Sequence, residues 1–398
     1  MQQLYLLLIY TLTRVESDRP THFKLAMVGY LVFLTISTAV FALFSLGLNL
    51  QWGFTGLINF GHVAFMTLGA YTTVLLSLQG VPLIVAGVAG AAIAALLGLL
   101  IGLSTLRLRQ DYLAIVTIGV SELIRLLVNN QDLPTGNQFT PGAFGLQGYP
   151  LPLSNFEPNL LTKLAMIGLL TLITGLSYWR LWRWNANRKA VKSKGQAVGS
   201  RLILGIVATL LGLVIYGTGV VALYDYANND KAGLMLLSLL VLALVFFWLE
   251  SLVRSPWGRV LKAIREDEEV AKALGKNVFW YKLQSLMLGG AIAGFAGALY
   301  AWQLTTIYPN NFEPQVTFDA WIMVLLGGAG NNVGAILGAA IYWAYYSITL
   351  FVLPAIVPLD EARLGAFRIM IIGLLLMVLM MWRPQGILGK KEELTLGR

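Results

Sequence analysis

Five polar residues in apolar surroundings are the first candidates for chemistry. Asn49, Asn59 and His62 fall in a glycine-rich stretch, while Glu122 and Arg125 lie three residues apart further along the chain. Polar groups inside a membrane tend to mark solute pathways, so all five are predicted pathway candidates. The alternative for the first three is tight helix packing with local hydrogen bonds. For Glu122 and Arg125, we favour a structural ion pair on one helix.

Groups for catalysis or metal binding are scarce. The chain has no cysteine and two histidines, which excludes disulfides, thiolate catalysis and a dense metal site. Its two Gly-Lys pairs, at 275–276 and 389–390, are not followed by Ser or Thr, so the phosphate-binding loop of an ATPase is missing. We therefore expect no enzymatic activity, metal or cofactor in this chain.

The composition is that of a membrane protein. Of the 398 residues, 57% are hydrophobic and 12% are charged, and the mean hydropathy is +0.72. An average soluble domain has about 25% charged residues. This balance excludes an ordinary soluble enzyme, a disordered protein and a nucleic-acid binder.

Long apolar runs predict an all-α, polytopic transmembrane bundle of about ten spans, because most are near the 17–25 residues that cross a bilayer. The stretch 318–353 is expected to form two passes separated by the glycine-rich turn 327–332, and Gly53–Gly61 is a candidate broken helix. The nine remaining runs are 25–48, 53–78, 81–106, 112–129, 160–179, 202–224, 233–253, 283–306 and 365–382. We expect no cleaved signal peptide in residues 1–13.

The cations orient these spans. Twenty of the 28 Lys and Arg residues fall in four segments, and these segments all lie on one side of the membrane when successive spans cross it in alternate directions. The segments 130–158 and 307–317 on the other side have no Lys or Arg. The positive-inside rule makes the cationic side cytoplasmic. The cation-bearing segment 14–24 is the exception, because the same count of spans places it outside. It would lie inside if 4–12 formed an extra short pass, or if the broken helix changed the number of crossings. The cationic stretch 180–201 is predicted to be a topogenic loop, with contact to anionic lipid or a partner as the alternative.

The polar segment 255–275 is the most informative of the cytoplasmic loops. Ser255 is a predicted helix N-cap, Pro256 suits the first helical position, and Gly275 suits the end of the helix. A narrow apolar stripe follows helical spacing at Val260, Ile264, Ala271 and Leu274. This pattern predicts one amphipathic helix. It is typical either of a loop lying in solvent or on the membrane surface, or of a contact with a cytoplasmic motor subunit.

Five segments resemble the LivM-type permeases, the membrane subunits of ABC importers for branched-chain and other neutral amino acids. They are 47–71, 106–117, 259–275, 327–340 and 383–388. Their order and spacing extend the resemblance from about residue 35 to 390. The chain departs from the family pattern at 180–232, which is predicted to be an inserted helical hairpin within a single permease domain covering 1–398.

The resemblance implies a set of partners. These are a LivH-like second permease subunit, two cytoplasmic ATPase subunits and a periplasmic substrate-binding protein, with the complex in the bacterial inner membrane. ATP and magnesium would act on the ATPase subunits. The outer loop 131–159 is expected either to receive the binding protein or to cap the bundle. The segment 255–275 becomes the predicted ATPase coupling helix, with contact residues Arg259, Lys262, Ile264, Arg265, Glu266, Asp267, Glu268, Leu274 and Gly275.

Two other functions stay open from the sequence. A urea or short-chain amide permease of the same family would share the same motifs. An ion-coupled secondary transporter would need buried carboxylates in its spans, and Glu122 is the one deep candidate. Asp319 and Arg368 are expected at the outer interface and Glu250 at the inner interface.

Overall fold

A computed structural model describes residues 20–107, 110–136, 138–154, 156–187, 198–356 and 360–389. The described chain is helical, with thirteen α-helices in these ranges. It forms two compact units. Unit 1 comprises the described residues of Met1–Ile36 and Leu153–Leu240, and unit 2 comprises those of Ser37–Pro152 and Val241–Arg398.

The helices follow one another along the chain, most of them with short connections and two of them separated by the loop 131–159. They are α1 Pro20–Leu48, α2 Val63–Leu78, α3 Leu83–Thr105, α4 Gln110–Asn130, α5 Leu160–Asn187, α6 Val198–Tyr224, α7 Ala232–Arg254, α8 Pro256–Glu266, α9 Glu268–Ala273, α10 Val278–Leu304, α11 Gln315–Gly327, α12 Asn332–Ile356 and α13 Glu361–Trp382. A π-helix, Asn49–Phe54, continues α1.

The polytopic helical bundle is confirmed. Eight helices in the described part of the chain are long and apolar enough to cross a membrane, and α2 and the described apolar part of α6 are shorter apolar helices. The predicted run 53–78 is not one uninterrupted helix, because α2 begins only at Val63. The extra pass considered at 4–12 lies outside the described residues.

The broken helix predicted at Gly53–Gly61 is present. The chain leaves the π-helix at Phe54 and takes no helical form between 55 and 62. Gly56 has a φ of +81°, a conformation that a residue with a side chain rarely adopts. π-Helices are rare and often occur at functional sites, so this break is a candidate functional region.

The centre of unit 2 is formed by α10 packed against α2 and α3. Small residues allow the close approach that drives helix association in membranes. A Cβ atom on Gly47 would lie 2.6 Å from the Gly289 carbonyl oxygen, and one on Gly69 would meet the backbone of Gly294 even more closely. Substitution at these positions would therefore separate the helices.

The stretch 318–353 does form two helices that pack against each other, but the first is short. Helix α11 has 13 residues, which is about 20 Å of rise and less than a hydrocarbon core of about 30 Å. The tail covers its C-terminal end: the amides of Ile387 and Leu388 donate to the carbonyls of Leu326 and Gly327, both at 3.0 Å. These carbonyls have no partner within the helix.

The outer loop contains small sheets that the all-α prediction did not include. Strand β1, Asp132–Thr135, pairs antiparallel with β2, Gln138–Pro141. Strand β3, Leu146–Gln147, pairs antiparallel with β4, Thr306–Ile307, which follows α10. The pairing ties the loop to the end of α10, and Tyr149 donates from its hydroxyl to the Ala301 carbonyl at 2.5 Å.

Unit 1 contains the predicted insertion. Helices α5 and α6 pack against each other, and the Tyr178 hydroxyl of α5 donates to the Thr209 carbonyl of α6 at 2.7 Å. Residues 188–197, with four of the loop's cations, lie outside the described residues. The single-domain organisation and the role of 180–232 stay predictions.

Candidate functional site

Asn49 opens the π-helix and lies at the centre of a buried polar chain. Its side-chain oxygen accepts from the Gly330 amide at 2.9 Å, and its nitrogen donates to Asn332 Oδ1 at 3.1 Å. Asn332 in turn donates to Glu250 Oε2 at 3.1 Å, and the other oxygen of Glu250 pairs with Arg254 at 2.5 Å. The break in the first span is thus fixed to the turn before α12.

Asn59 stabilises the non-helical part of the break. Its Nδ2 donates to Gln51 Oε1 at 2.9 Å, while its Oδ1 accepts from the Gly61 amide at 2.9 Å. Gln51 donates to the Leu286 carbonyl of α10 at 3.1 Å, and the Trp321 indole donates to the Asn59 carbonyl at 3.1 Å. Asn59 is fully buried, and its amide group already has two partners.

His62 precedes α2 and is also fully buried. Its Nε2 lies 3.2 Å from the Phe44 carbonyl. The imidazole packs with the rings of Phe44 and Phe65, at centroid distances of 4.6 and 5.6 Å. Its Nδ1 has no hydrogen-bond partner in the described residues. This setting favours the packing interpretation in the conformation seen, and the pathway role stays a prediction.

The segment 255–275 is two helices, so the prediction of one continuous helix was wrong. Asp267 is extended, with φ −155° and ψ 110°, and separates α8 from α9. Its Oδ1 accepts from the amides of Glu269 and Val270 at 2.9 and 3.0 Å. Asp267 is therefore the N-cap of α9, and a carboxylate there also interacts favourably with the helix dipole.

Both ends of the segment are where the sequence predicted them. Ser255 precedes α8, although its side chain makes no capping bond and its hydroxyl donates to Leu252 instead. At the other end Gly275 has a φ of +75°. The amide of Gly275 donates to the Lys272 carbonyl and that of Lys276 to the Ala271 carbonyl. This is the paired bonding of a Schellman motif, which favours glycine.

One face of the segment packs on the break. Arg265 donates from Nη1 to the Gly53 carbonyl of the π-helix, and its Cγ would lie 3.3 Å from a Cβ on Gly56. The Lys262 ammonium lies 5.5 Å from the centroid of the Phe54 ring. Arg265 also pairs with Glu266 at 2.8 Å. Arg265 and Lys262 thus connect a polar loop segment to the irregular part of the first span.

A small apolar cluster and an ion pair hold the same face to α10. Ile264, Ala271 and Val278 are buried together, with Val260 and Tyr281 packed against them. Glu268 Oε2 pairs with the Lys282 ammonium at 2.5 Å, and Lys272 pairs with Glu268 as well. Burial disfavours the charged form of Glu268, but hydrogen bonds and charge from Lys282 and Lys272 outweigh it and hold the pKa of that carboxyl below its usual value.

The opposite face is open. Leu274 is 71% exposed and Val270 is 55% exposed, so Leu274 does not belong to the inward-facing stripe that its spacing predicted. The reason is the break at Asp267, which changes the direction of the chain between the two helices. Arg259 and Glu266 are exposed on this segment too.

Glu122 and Arg125 form the predicted pair on α4. Arg125 Nη2 lies 2.5 Å from Glu122 Oε1, and Arg125 Nη1 donates to Asn310 Oδ1 at 3.1 Å. Their side chains are 35% and 18% exposed. The pair is explained by local structure, while its pathway role stays a prediction.

The site also includes polar residues that were not predicted from the sequence. Thr55 and Ser285 share a hydrogen bond of 2.7 Å, and Thr117 accepts from the Phe60 amide at 3.2 Å. Asn332 and Glu250 complete the chain from Asn49. Their polar character within apolar runs could have identified these residues as candidates. Their contacts could not be predicted, because the bonded partners are far apart in the sequence. No group of three or more His, Cys, Asp or Glu residues that could hold a metal occurs among the described residues.

The comparisons with known proteins give the family. Residues 30–380 match the family model described as the permease component of branched-chain amino acid transport systems. The chain belongs to this family. The resemblance to LivM-type permeases is confirmed, and the permease is a multi-pass membrane protein of that family.

The permease is similar to two LivM proteins along most of its length. It is 29% identical over 357 residues to the LivM permease protein of the high-affinity branched-chain amino acid transport system of Escherichia coli K12, with 88% of this chain and 68% of the relative covered. It is 24% identical over 365 residues to the probable branched-chain amino acid transport permease protein LivM of Methanocaldococcus jannaschii, with 88% of this chain and 91% of the relative covered.

A shorter similarity links the permease to an import system of another kind. It is 32% identical over 159 residues to the autoinducer 2 import system permease protein LsrC of Salmonella typhi, with 34% of this chain and 45% of the relative covered. No solved structure matches the chain.

Proposed function

We propose that the chain is the permease subunit of an ABC importer that moves branched-chain or other neutral amino acids. Its partners would be a LivH-like permease subunit, two cytoplasmic ATPases and a periplasmic binding protein, in the bacterial inner membrane. The observation that carries the proposal is the contact of 255–275 with the break, through Arg265 and the Gly53 carbonyl.

The two faces of 255–275 suit a connection between a motor and a membrane path. Val270 and Leu274 offer exposed apolar contacts beside charged groups, which suits a docking surface for an ATPase. The buried face is joined to the π-helix and to α10. Force applied to the open face would therefore reach the irregular part of the first span.

The mechanism is alternating access. ATP-driven closure of the motor pair would move 255–275, and Arg265 with Lys262 would transmit that movement to residues 49–62. A ligand shifts such an equilibrium only by its differential affinity for the two states. The solute must therefore bind differently to the outward-open and inward-open forms.

The first test is uptake by proteoliposomes that contain the reconstituted complex and the binding protein. We expect uptake of branched-chain amino acids to require ATP and every partner subunit. Uptake that persists without ATP would instead support an ion-coupled transporter. Uptake of urea or short amides with no uptake of amino acids would assign the other branch of the family.

A point variant tests the coupling surface. Leu274→Ala removes an exposed apolar contact and should reduce both binding of the ATPase and uptake, without affecting membrane insertion. The matched control is Leu172→Ala on α5, whose leucine is 57% exposed. Equal ATPase binding by both variants and the wild type would contradict a coupling role for this face.

A further inference from the structure

Asp319 is a carboxylate of unit 2 without a cationic partner among the described residues. It lies on α11, one turn after Gln315, and its side chain is half-buried. Gln315 Nε2 donates to its Oδ1 at 3.2 Å, and Tyr342 on α12 also makes a side-chain hydrogen bond to it. None of the ion pairs among the described residues includes Asp319. Burial of a carboxylate without a cation costs free energy unless other groups compensate its charge.

The surroundings of Asp319 are aromatic. Tyr342 packs edge-on to Trp343 at a centroid distance of 6.5 Å, and Trp343 packs edge-on to Tyr346 at 5.6 Å. Tyr300 lies near the carboxylate and feels its charge. A carboxylate among aromatic rings is a favourable environment for an organic ammonium group, because the ring faces also attract cations.

Arg368 of α13 supplies the opposite charge and lies beside the face of α12 that carries Tyr342 and Tyr346. Its guanidinium lies 5.8 Å from the centroid of the Tyr346 ring, and its Nε is buried with no hydrogen-bond partner among the described residues. The Tyr345 hydroxyl donates to the Arg368 carbonyl at 2.7 Å, which holds α13 beside α12. Arg368 thus has an unused donor in a buried position.

Tyr342 contacts Asp319 and Tyr346 contacts Arg368, so these two tyrosines of α12 show how the two charged groups are arranged along the helix. Four residues on a helix correspond to about 6 Å along its axis. The side chain bonded to Tyr342 is negative, and the one stacked on Tyr346 is positive. Opposite charges beside consecutive turns, without an ion pair between them, match a ligand that carries both charges close together.

We propose that Asp319 and Arg368 form a binding site for the zwitterionic head of an α-amino acid. Asp319 receives the ammonium group, Arg368 receives the carboxylate, and Tyr342 positions Asp319. This inference rests on the proposed import function. It assigns recognition of the head group to this chain, in addition to any selection by a binding protein.

The test measures equilibrium binding of radiolabelled leucine to the purified membrane complex in nanodiscs, without binding protein. Competitors are 4-methylpentanoate, which lacks the ammonium, and isopentylamine, which lacks the carboxylate. Asp319→Asn should weaken leucine binding by about tenfold or more and make the protein accept 4-methylpentanoate nearly as well as leucine. Arg368→Gln should have the same effect on leucine, with isopentylamine as the favoured competitor.

Further variants keep the test decisive. Asp319→Glu, which retains the charge, should recover part of the affinity, and Tyr342→Phe should weaken it about threefold. These two replace Asp319→Asn if it fails to fold. The matched control, Asp132→Asn, removes an exposed carboxylate of β1 and should bind leucine like the wild type.

The outcomes separate this inference from the proposed function. ATP-driven uptake by the wild type, together with unchanged leucine affinity in the Asp319 and Arg368 variants, would overturn the site and keep the importer. Absence of saturable leucine binding to the wild type would also overturn the site. Absence of ATP-driven uptake in the complete wild-type system would refute the importer itself.

Discussion

Two polar regions of unit 2 use their groups in opposite ways. At the break, Asn49, Asn59 and their partners satisfy one another, so that most polar atoms are already bonded. Beside α12, Asp319 has neutral partners and Arg368 has a buried donor without one. Fully bonded groups specify a structure, whereas charges left without counterparts are available to a ligand. The difference supports a structural role for the break and is the basis of the proposed solute site beside α12.

The largest effect should come from Asn49→Leu. This change leaves the Gly330 N–H without its acceptor and the Asn332 Oδ1 without its donor from Asn49. The cost should be about 2–6 kcal/mol, from two unsatisfied buried groups. A thermal scan of the complex at fixed rate should show a clearly lower midpoint, whereas Asp319→Asn should change it little. A larger loss of stability from Asp319→Asn would reverse our comparison of the two regions.

The second effect concerns coupling. Arg265→Met removes the donor to the Gly53 carbonyl, so movement of 255–275 should reach the break less efficiently. We expect the amount of amino acid transported per ATP hydrolysed to fall by about tenfold, which is the size of a typical loss of coupling between two sites. ATPase activity should persist. Lys276→Met, at an exposed cation of the same segment, is the control, and the same loss of coupling there would remove the special role of Arg265.

The third effect is a dependence on pH at the support of the break. The pKa of Glu268 is lowered in the folded state, so its contribution to stability is present above its unfolded pKa, near 4.5, and is lost as the pH falls through the folded pKa. Between pH 6 and pH 3 the wild type should therefore lose more thermal stability than Glu268→Gln. Parallel decreases in the two proteins would show that the Lys282 pair contributes nothing.

The smallest effect should come from Glu122→Gln. The pair with Arg125 lies three residues apart on one helix and is partly exposed, so its loss should cost about 0.5 kcal/mol. The apparent KM for uptake should stay within about twofold of the wild type. A tenfold rise would place Glu122 in the pathway and extend the solute-binding groups to α4.

The sequence predicted what depends on local patterns. Hydropathy alone identified most spans, and glycine spacing located the break at 53–61. The ends of 255–275 were predictable because Pro256 and Gly275 act within a few residues. The interruption at Asp267 was missed, since the charged run that contains it resembles a continuous helix, although Asp followed by two Glu is also an N-terminal helix signal.

Contacts between distant residues were not predictable. Asn49 and Asn332 are 283 positions apart, and no periodicity relates them. The same holds for the Arg265 contact with Gly53, which depends on how α8 packs beside the π-helix. The short sheets of the outer loop were missed because two-residue and four-residue strands leave almost no alternating pattern.

The tail bonds at Ile387 and Leu388 have a practical consequence for protein engineering. An affinity tag attached after residue 389 leaves both capped carbonyls of α11 intact. A truncation before residue 386 would uncover them at the end of a helix that carries Asp319. Expression vectors should therefore preserve residues 386–388, and a cleavable tag belongs beyond them.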